Sequence, residues 1–216
     1  RSQTTPRGHN VPRYALDVLE VITALGLTRA LLLGWSMGGS VVLEYWQRFG
    51  GDRLAGIGLV ETGPYPMSPA PWNVHKCHGH NEEAMREDLA AMKEDRKGFA
   101  VRFVNAMFLP GHSPEHALKW MLAEQLKAAP ETAAAIYEDY ARRDYTPVLP
   151  SVNLPALVIY GRSLHMCYGP STGRFVAASL PDARFVILDK SGHMPFYEQP
   201  EEFNQTVAGF LDTLNA

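Results

Sequence analysis

The sequence has little of what marks secreted, membrane or nucleic-acid-binding chains. Two cysteines, Cys77 and Cys167, occur in 216 residues. That is too few for a disulfide framework, so a reducing, cytoplasmic setting is expected. No apolar run approaches the roughly 20 residues that a membrane-spanning helix needs. Arg1 to Pro6 contains no apolar stretch, so no signal peptide is expected there. Basic residues (20) do not outnumber acidic ones (23), and the net charge is −3. That leaves no basic footprint, so neither nucleic acid nor membrane is expected as a partner. Repeats and low-complexity tracts are absent. What remains is 46% hydrophobic and 20% charged residues over a length that suits one domain, or one domain with an insertion.

One short stretch organises the rest: Gly34-Trp35-Ser36-Met37-Gly38-Gly39. An apolar run, Ala30 to Leu33, leads in, and a helix-forming run, Ser40 to Trp46, leads out. Strand, Gly-x-Ser-x-Gly and helix together lift a serine hydroxyl onto a sharp turn. The glycines two positions either side of Ser36 let strand and helix approach without Cβ clashes. A helix N-terminus at Ser36 also aims backbone N–H groups, that of Met37 first, at any oxyanion formed there. The alternative is a tight strand-to-helix turn with a solvated serine.

The elements around it alternate. Val11 to Leu25 reads as a helix with Pro12 in its first turn, a stripe of Leu16, Leu19, Ile22 and Leu25, and Gly26 as its stop. Leu54 to Val60 and Ala156 to Tyr160 are wholly apolar strands, and Arg184 to Leu188 is a last one. Phe175 to Leu180 reads as a helix. A final helix carries Phe203, Val207, Phe210, Leu211 and Leu214. Apolar strands between helices predict an α/β fold with a mostly parallel sheet covered on both faces. From about 66 to 150 strand-like runs vanish. Helices are expected after Asn81, after Gly98, from Ser113-Pro114-Glu115 and from Pro130. The domain reading is therefore a core of 1–65 and 151–216 with a helical cap insertion, 66–150. The methionines and aromatics there fit either a cap over the site or the core of a helical layer.

A serine hydroxyl needs a base, and histidine has the pKa for it. Among eight histidines, His193 follows an apolar strand and a Ser-Gly turn. In a parallel sheet the C-terminal ends of all strands share one edge, where sites of open α/β sheets lie. Ser36 and His193 both fall there. The alternative for His193 is a surface loop.

With the serine turn, the cap-like insertion, Ser191-Gly192-His193-Met194-Pro195 and Glu198-Gln199-Pro200-Glu201-Glu202-Phe203 in view, the chain resembles the α/β-hydrolase superfamily. The likeness to its small cofactor-free esterases, lactonases and perhydrolases runs over essentially the whole length. It implies Ser36 as nucleophile and His193 as base, with neither cofactor nor metal. The family's usual acid would fall at Leu164, in Gly161-Arg162-Ser163-Leu164, which supplies no carboxylate. Some haloalkane dehalogenases of the family instead place the acid at the end of the strand after the nucleophile helix, which here is Glu61. A carboxylate ending an apolar strand is costly if buried unpaired, and pairing with His193 removes that cost. Asp189, Asp144 and an acid-free histidine held by a carbonyl or water remain as alternatives.

The resemblance further implies three or four strands before the helix at Val11, together with the second oxyanion donor. A longer chain or a second chain would then complete the sheet. Trp35, Phe196 and His165 are candidates for lining a substrate pocket, though Trp35 could equally be packing. His75-Lys76-Cys77-His78-Gly79-His80 gathers four metal-ligand types, but the spacing matches no zinc pattern and a polar cap loop is expected. The run Glu82 to Lys97 is expected to be a solvated helix face. The expected function is hydrolysis of a small or medium apolar ester, lactone or thioester. A ligand-binding or signalling protein, and a perhydrolase or acyltransferase, are the alternatives.

Overall fold

The apolar strands assemble into one parallel sheet in the order β1 (Ala30–Trp35), β2 (Leu54–Val60), β3 (Ala156–Gly161), β4 (Ala183–Leu188). The structure, a computed structural model, describes residues 5, 7–79, 81–111, 114–162 and 168–215. β2 and β3 are almost wholly buried, whereas β1 and β4, at the edges of this sheet, are half-buried. The two-residue period sends alternate side chains to opposite faces. Val158 and Tyr160 join Ile57 and Leu59 in the larger core, under α1 (Val11–Ala24) and α2 (Met37–Phe49). Leu157 and Ile159 join Val60 and Leu188 in the smaller core, under Phe203 and Phe210 of α9 (Pro200–Asn215).

Parallel neighbours need a crossover, and the one from β2 to β3 is long. It contains α3 (Glu82–Glu94), α4 (Arg96–Ala106), α5 (Glu115–Gln125), α6 (Pro130–Ala141) and a 3-10 turn (Thr146–Ser151). Asn81 caps α3 by accepting from Ala84 N, and Asp95 caps α4 by accepting from Gly98 N at 2.9 Å. Gly98 thus lies inside the first turn of α4 instead of preceding it. Ser113 lies outside the described residues, and Pro114 is the N-cap of α5. The helices divide their loyalties. Ile136 and Tyr140 of α6 belong to the main core, while α4 and α5 build smaller clusters around Phe99, Val104 and Met121. Asp139 of α6 accepts from Val11 N at 2.8 Å, so it shares the capping of α1 with Asn10, which accepts from Arg13 N.

Several expected boundaries and faces shift. The buried face of α1 is Val11, Ala15 and Ile22, and Leu25 is 67% exposed because it caps the helix beyond its last packed turn. Leu211 is likewise exposed. The helix after β3, α7 (Pro170–Ser179), begins five residues before Phe175, with Pro170 in its first turn. A short helix, α8 (Pro195–Glu198), follows the His193 loop. The charged run from Glu82 is not uniformly solvated: Asp88 is partly buried, where it meets Lys76 and accepts from Tyr137.

The glycines of the serine turn divide differently from the expectation. A Cβ on Gly34 would lie 2.3 Å from Gly38 O, and one on Gly39 would lie 2.4 Å from Thr62 beyond β2. A Cβ on Gly38 would meet nothing within 4 Å. Close approach is thus required of Gly34 and Gly39, not of Gly38. Gly39→Ala is expected to destabilise the fold by about 1–3 kcal/mol through overpacking, while Gly38→Ala changes it by under about 1 kcal/mol. Urea unfolding of both variants checks this, and equal losses would contradict the assignment.

Candidate active site

Three strand ends converge because the strands are parallel. Ser36 follows β1, Glu61 follows β2, and His193 lies on the loop after β4. Ser36 and Glu61 are the non-glycine residues with positive φ among those described, at 53° and 46°. Such backbone costs of order 1–3 kcal/mol per residue and persists where surroundings enforce it. Ladder bonds enforce it here: Ser36 N donates to Val60 O, and Glu61 N to Ile159 O, both at 2.9 Å.

Glu61 is 1% exposed and His193 3%. His193 Nδ1 lies 3.2 Å from Glu61 Oε2, and Glu61 Oε1 accepts from Gly161 N at 2.6 Å. Burial pushes the Glu61 carboxyl well above its usual range, against the Gly161 hydrogen bond and with help from the charge of Glu198. Burial also pulls His193 down to about 3. The imidazole is therefore neutral at physiological pH. With Nδ1–H donating to Glu61, Nε2 carries the lone pair. Nε2 is buried and has no hydrogen-bond partner among the described residues.

The His193 loop is held from several sides. Trp35 Nε1–H donates to His193 O at 2.7 Å, Gly192 N donates to Glu198 Oε2 at 2.7 Å, and Lys190 N donates to Gln199 Oε1 at 2.6 Å. Glu198 Oε1 also accepts from Leu109 N at 2.8 Å, tying the loop to the segment after α4. Gly161 permits the approach, since a Cβ there would sit 2.2 Å from Gly192 O.

A cavity of about 450 Å³ opens at Ser36, Met37 and Gly38. Its wall is mainly apolar, with Trp35 from the sheet and Met92, Phe99, Phe103, Met107 and Ile136 from the helices between β2 and β3. Polar groups also reach it, among them His75, Arg96, Gln125 and Tyr137. The backbone N–H groups of Met37 and Gly38, the first two of α2, have no acceptor within the helix and point to its N-terminal end, whereas Gly39 N donates to Ser36 O at 2.9 Å.

Of the residues singled out in the sequence, Glu61 and His193 are in contact, and Ser36, Met37 and Trp35 line the cavity. Trp35 also packs, its ring centroid 5.2 Å from His193 and 5.1 Å from Phe196. Phe196 stands behind it, edge-on to Trp35 and Phe203, and is part of the packing instead of the cavity wall. His165 lies outside the described residues, as does Leu164. Asp189 is exposed and pairs with Arg162, and Asp144 accepts from Thr146 N at the surface. The loop expected to be a polar cap loop is partly buried. His75 is 3% exposed and Cys77 fully buried, with Cys77 N donating to His75 Nδ1 at 3.1 Å. The clamp by Glu198 and the inward position of His75 were not foreseen. The spacing of Glu198 to Gly192 carries no periodic signal, and His75 lies in a stretch that reads as polar.

The serine turn, the strand-end carboxylate and the buried imidazole on one edge of a parallel sheet define an α/β-hydrolase arrangement. The model of the Alpha/beta hydrolase family matches residues 1–206, and the chain belongs to that family. The chain is similar to the AB hydrolase superfamily protein YisY of Bacillus subtilis, 25% identical over 208 residues, 95% of this chain and 75% of that protein. It is similar to the pimeloyl-[acyl-carrier protein] methyl ester esterase of Chromobacterium violaceum, 25% identical over 206 residues, 94% of this chain and 78% of that one. The solved thermophilic esterase from Thermogutta terrifontis superposes with a TM-score of 0.83 at 27% identity, covering 100% of this chain and 77% of that structure. Among the described residues, no helix is long and apolar enough to cross a membrane.

Burial, Lys76 and His193 lower the pKa of His75 to about 3. Unfolded, a histidine titrates near 6.5. Below that pH the unfolded chain binds a proton that folded His75 refuses, so stability falls as pH drops from about 6.5 towards 3. The contribution is about 1.4 kcal/mol per pH unit for one proton. His75→Asn keeps an acceptor for Cys77 N and does not titrate. Denaturant unfolding between pH 6 and 4 is expected to show a slope lower by up to one proton in this variant, and an unchanged slope would contradict the burial argument.

Proposed function

We propose that the chain is a serine hydrolase that cleaves a small or medium apolar carboxylic ester, lactone or thioester through an acyl-enzyme on Ser36. The observation carrying this reading is the buried Nε2 of a neutral His193, unpartnered among the described residues and tethered through Nδ1 to Glu61 at the sheet edge that bears the strained Ser36. In this reading residues 66–150 act as a cap whose inner wall binds the apolar part of the substrate. The esterase names of similar proteins support the class of reaction.

The steps follow from the groups present. Ser36 Oγ attacks the acyl carbon while its proton passes to His193 Nε2. Glu61 holds the ring by Nδ1–H and stabilises the imidazolium that forms. The carbonyl oxygen, now an oxyanion, accepts from Met37 N–H at the positive end of α2. His193 returns the proton to the leaving oxygen or sulfur. Water then attacks the acyl-enzyme with His193 again as base, releasing the acid. No cofactor or metal enters.

Two measurements test this reading. A fluorophosphonate is expected to label Ser36 rapidly, and Ser36→Ala to remove both labelling and turnover; an unlabelled, folded protein would favour a ligand-binding role. Glu61→Gln presents an amide N–H to Nδ1, which forces the wrong tautomer. It is expected to lower kcat by about 10⁴-fold with the fold intact. Turnover near wild type would reject Glu61 as the orienting acid.

A further inference from the structure

The cavity at Ser36 also takes in Arg96, the first residue of α4, and Gln125, the last of α5. Arg96 Nη2 donates to Gln125 O at 2.6 Å, a carbonyl at the negative end of α5. Two polar atoms of this pair remain without partners among the described residues: Arg96 Nε and the side-chain Gln125 Oε1, both buried. The neighbouring charges are already committed. Lys76 Nζ lies 2.5 Å from Asp88, Glu124 pairs with Lys127, and Asp95 accepts from Gly98 N and Arg102. Burial lowers the Arg96 pKa with no carboxylate opposing it. A guanidinium that lines a mostly apolar cavity, held in place by one nitrogen and with a buried N–H unsatisfied among the described residues, is a site prepared for an anion.

We infer that Arg96 and Gln125 form a subsite for a substrate carboxylate, so that the compound cleaved at Ser36 is a half-ester or half-thioester of a dicarboxylic acid. This rests on the reading of Ser36 as the nucleophile. The carboxylate accepts from the Arg96 guanidinium, and a small rotation of that side chain brings the covered Nε–H to it. A half-turn of the Gln125 amide places Nε2–H where Oε1 now lies and supplies a second donor. The methylenes between the two acyl carbons cover the apolar wall of Met92, Phe99 and Phe103. A single guanidinium matches one negative charge, which favours carboxylate over a doubly charged phosphate. Charge and shape together would reject neutral acyl chains of equal length, whose entry leaves Arg96 unpaired.

The test compares p-nitrophenyl half-esters of saturated dicarboxylic acids with p-nitrophenyl esters of monocarboxylic acids of the same length. The wild type is expected to prefer the acid-tailed ester at one or two chain lengths, chiefly through KM. In Arg96→Gln the ratio of kcat/KM values, acid-tailed over neutral, is expected to fall about 10- to 100-fold. Arg96→Lys restores part of that ratio. A wild type that prefers the neutral ester at every length, or a variant that loses both activities equally, would overturn the subsite and leave Arg96 as a cap of α5. Calorimetric titration of the unmodified protein with the free dicarboxylate and with the neutral, non-hydrolysable diol of the same length decides the matter without turnover or a folded variant. Tighter binding of the dicarboxylate supports the subsite, and equal binding overturns it. Failure of fluorophosphonate to label Ser36 would reject the hydrolase reading and leave the titration to judge the pocket.

Discussion

The contact between His193 and Glu61 is the constraint to which much of the site's surroundings answer. Two titratable side chains, both almost fully buried, meet at 3.2 Å where β2 ends and the β4 loop returns. Burying either alone would leave an unpaired polar group in a low-dielectric setting. Each therefore depends on the other, and on the backbone that delivers it. Gly161 N satisfies the second carboxyl oxygen, and the absence of a side chain at Gly161 admits the loop that carries His193. Trp35, Glu198 and Gln199 fix that loop with one hydrogen bond each to its backbone, and Glu198 adds a tie to Leu109. Burial holds the imidazole neutral, the state in which it can take a proton.

The helices between β2 and β3 serve two ends. α6 is anchored: Ile136 and Tyr140 share the main core, and Asp139 caps α1. α4 rests on smaller clusters and gives Phe99 and Phe103 to the cavity wall, α6 adds Ala133, Ile136, Tyr137 and Tyr140, and α5 reaches the cavity with Glu124 and Gln125. An insertion tied down on one side and presented to a cavity on the other can vary its wall without disturbing the sheet. In the function proposed above, substrate choice would then reside in the wall that α4, α5 and α6 share, and the chemistry at the strand ends. The unpartnered polar atoms of Arg96 and Gln125 stand out against this wall because nearby charges are compensated.

Much of the fold was legible. Wholly apolar strands between amphipathic helices implied a covered parallel sheet, and the cap at Asn81 and the helix start at Pro130 lay where local chemistry put them. The strand end at Glu61 was also readable, because a carboxylate closing an apolar run demands a partner. Faces were harder. Leu25 and Leu211 fit a helical stripe yet project past the packed surface, since periodicity reports direction and not how far the neighbouring element extends. Phe196, a candidate for the pocket as an apolar aromatic, lies in α8 and packs edge-on against Trp35 and Phe203 instead.

The sequence by itself determined the parallel sheet, the strained serine turn and the candidate set of serine, histidine and carboxylate. These depend on local backbone chemistry and on short-range alternation, which residue types encode directly. The tertiary structure alone decided which atoms meet. It put Glu61 against Nδ1 of His193, required the small residue at Gly39 and not at Gly38, drew His75 inward, and left Arg96 Nε buried without a partner among the described residues. Those outcomes join residues up to 132 positions apart. Long-range contact and desolvation are properties of the assembled core, so no local pattern carries them.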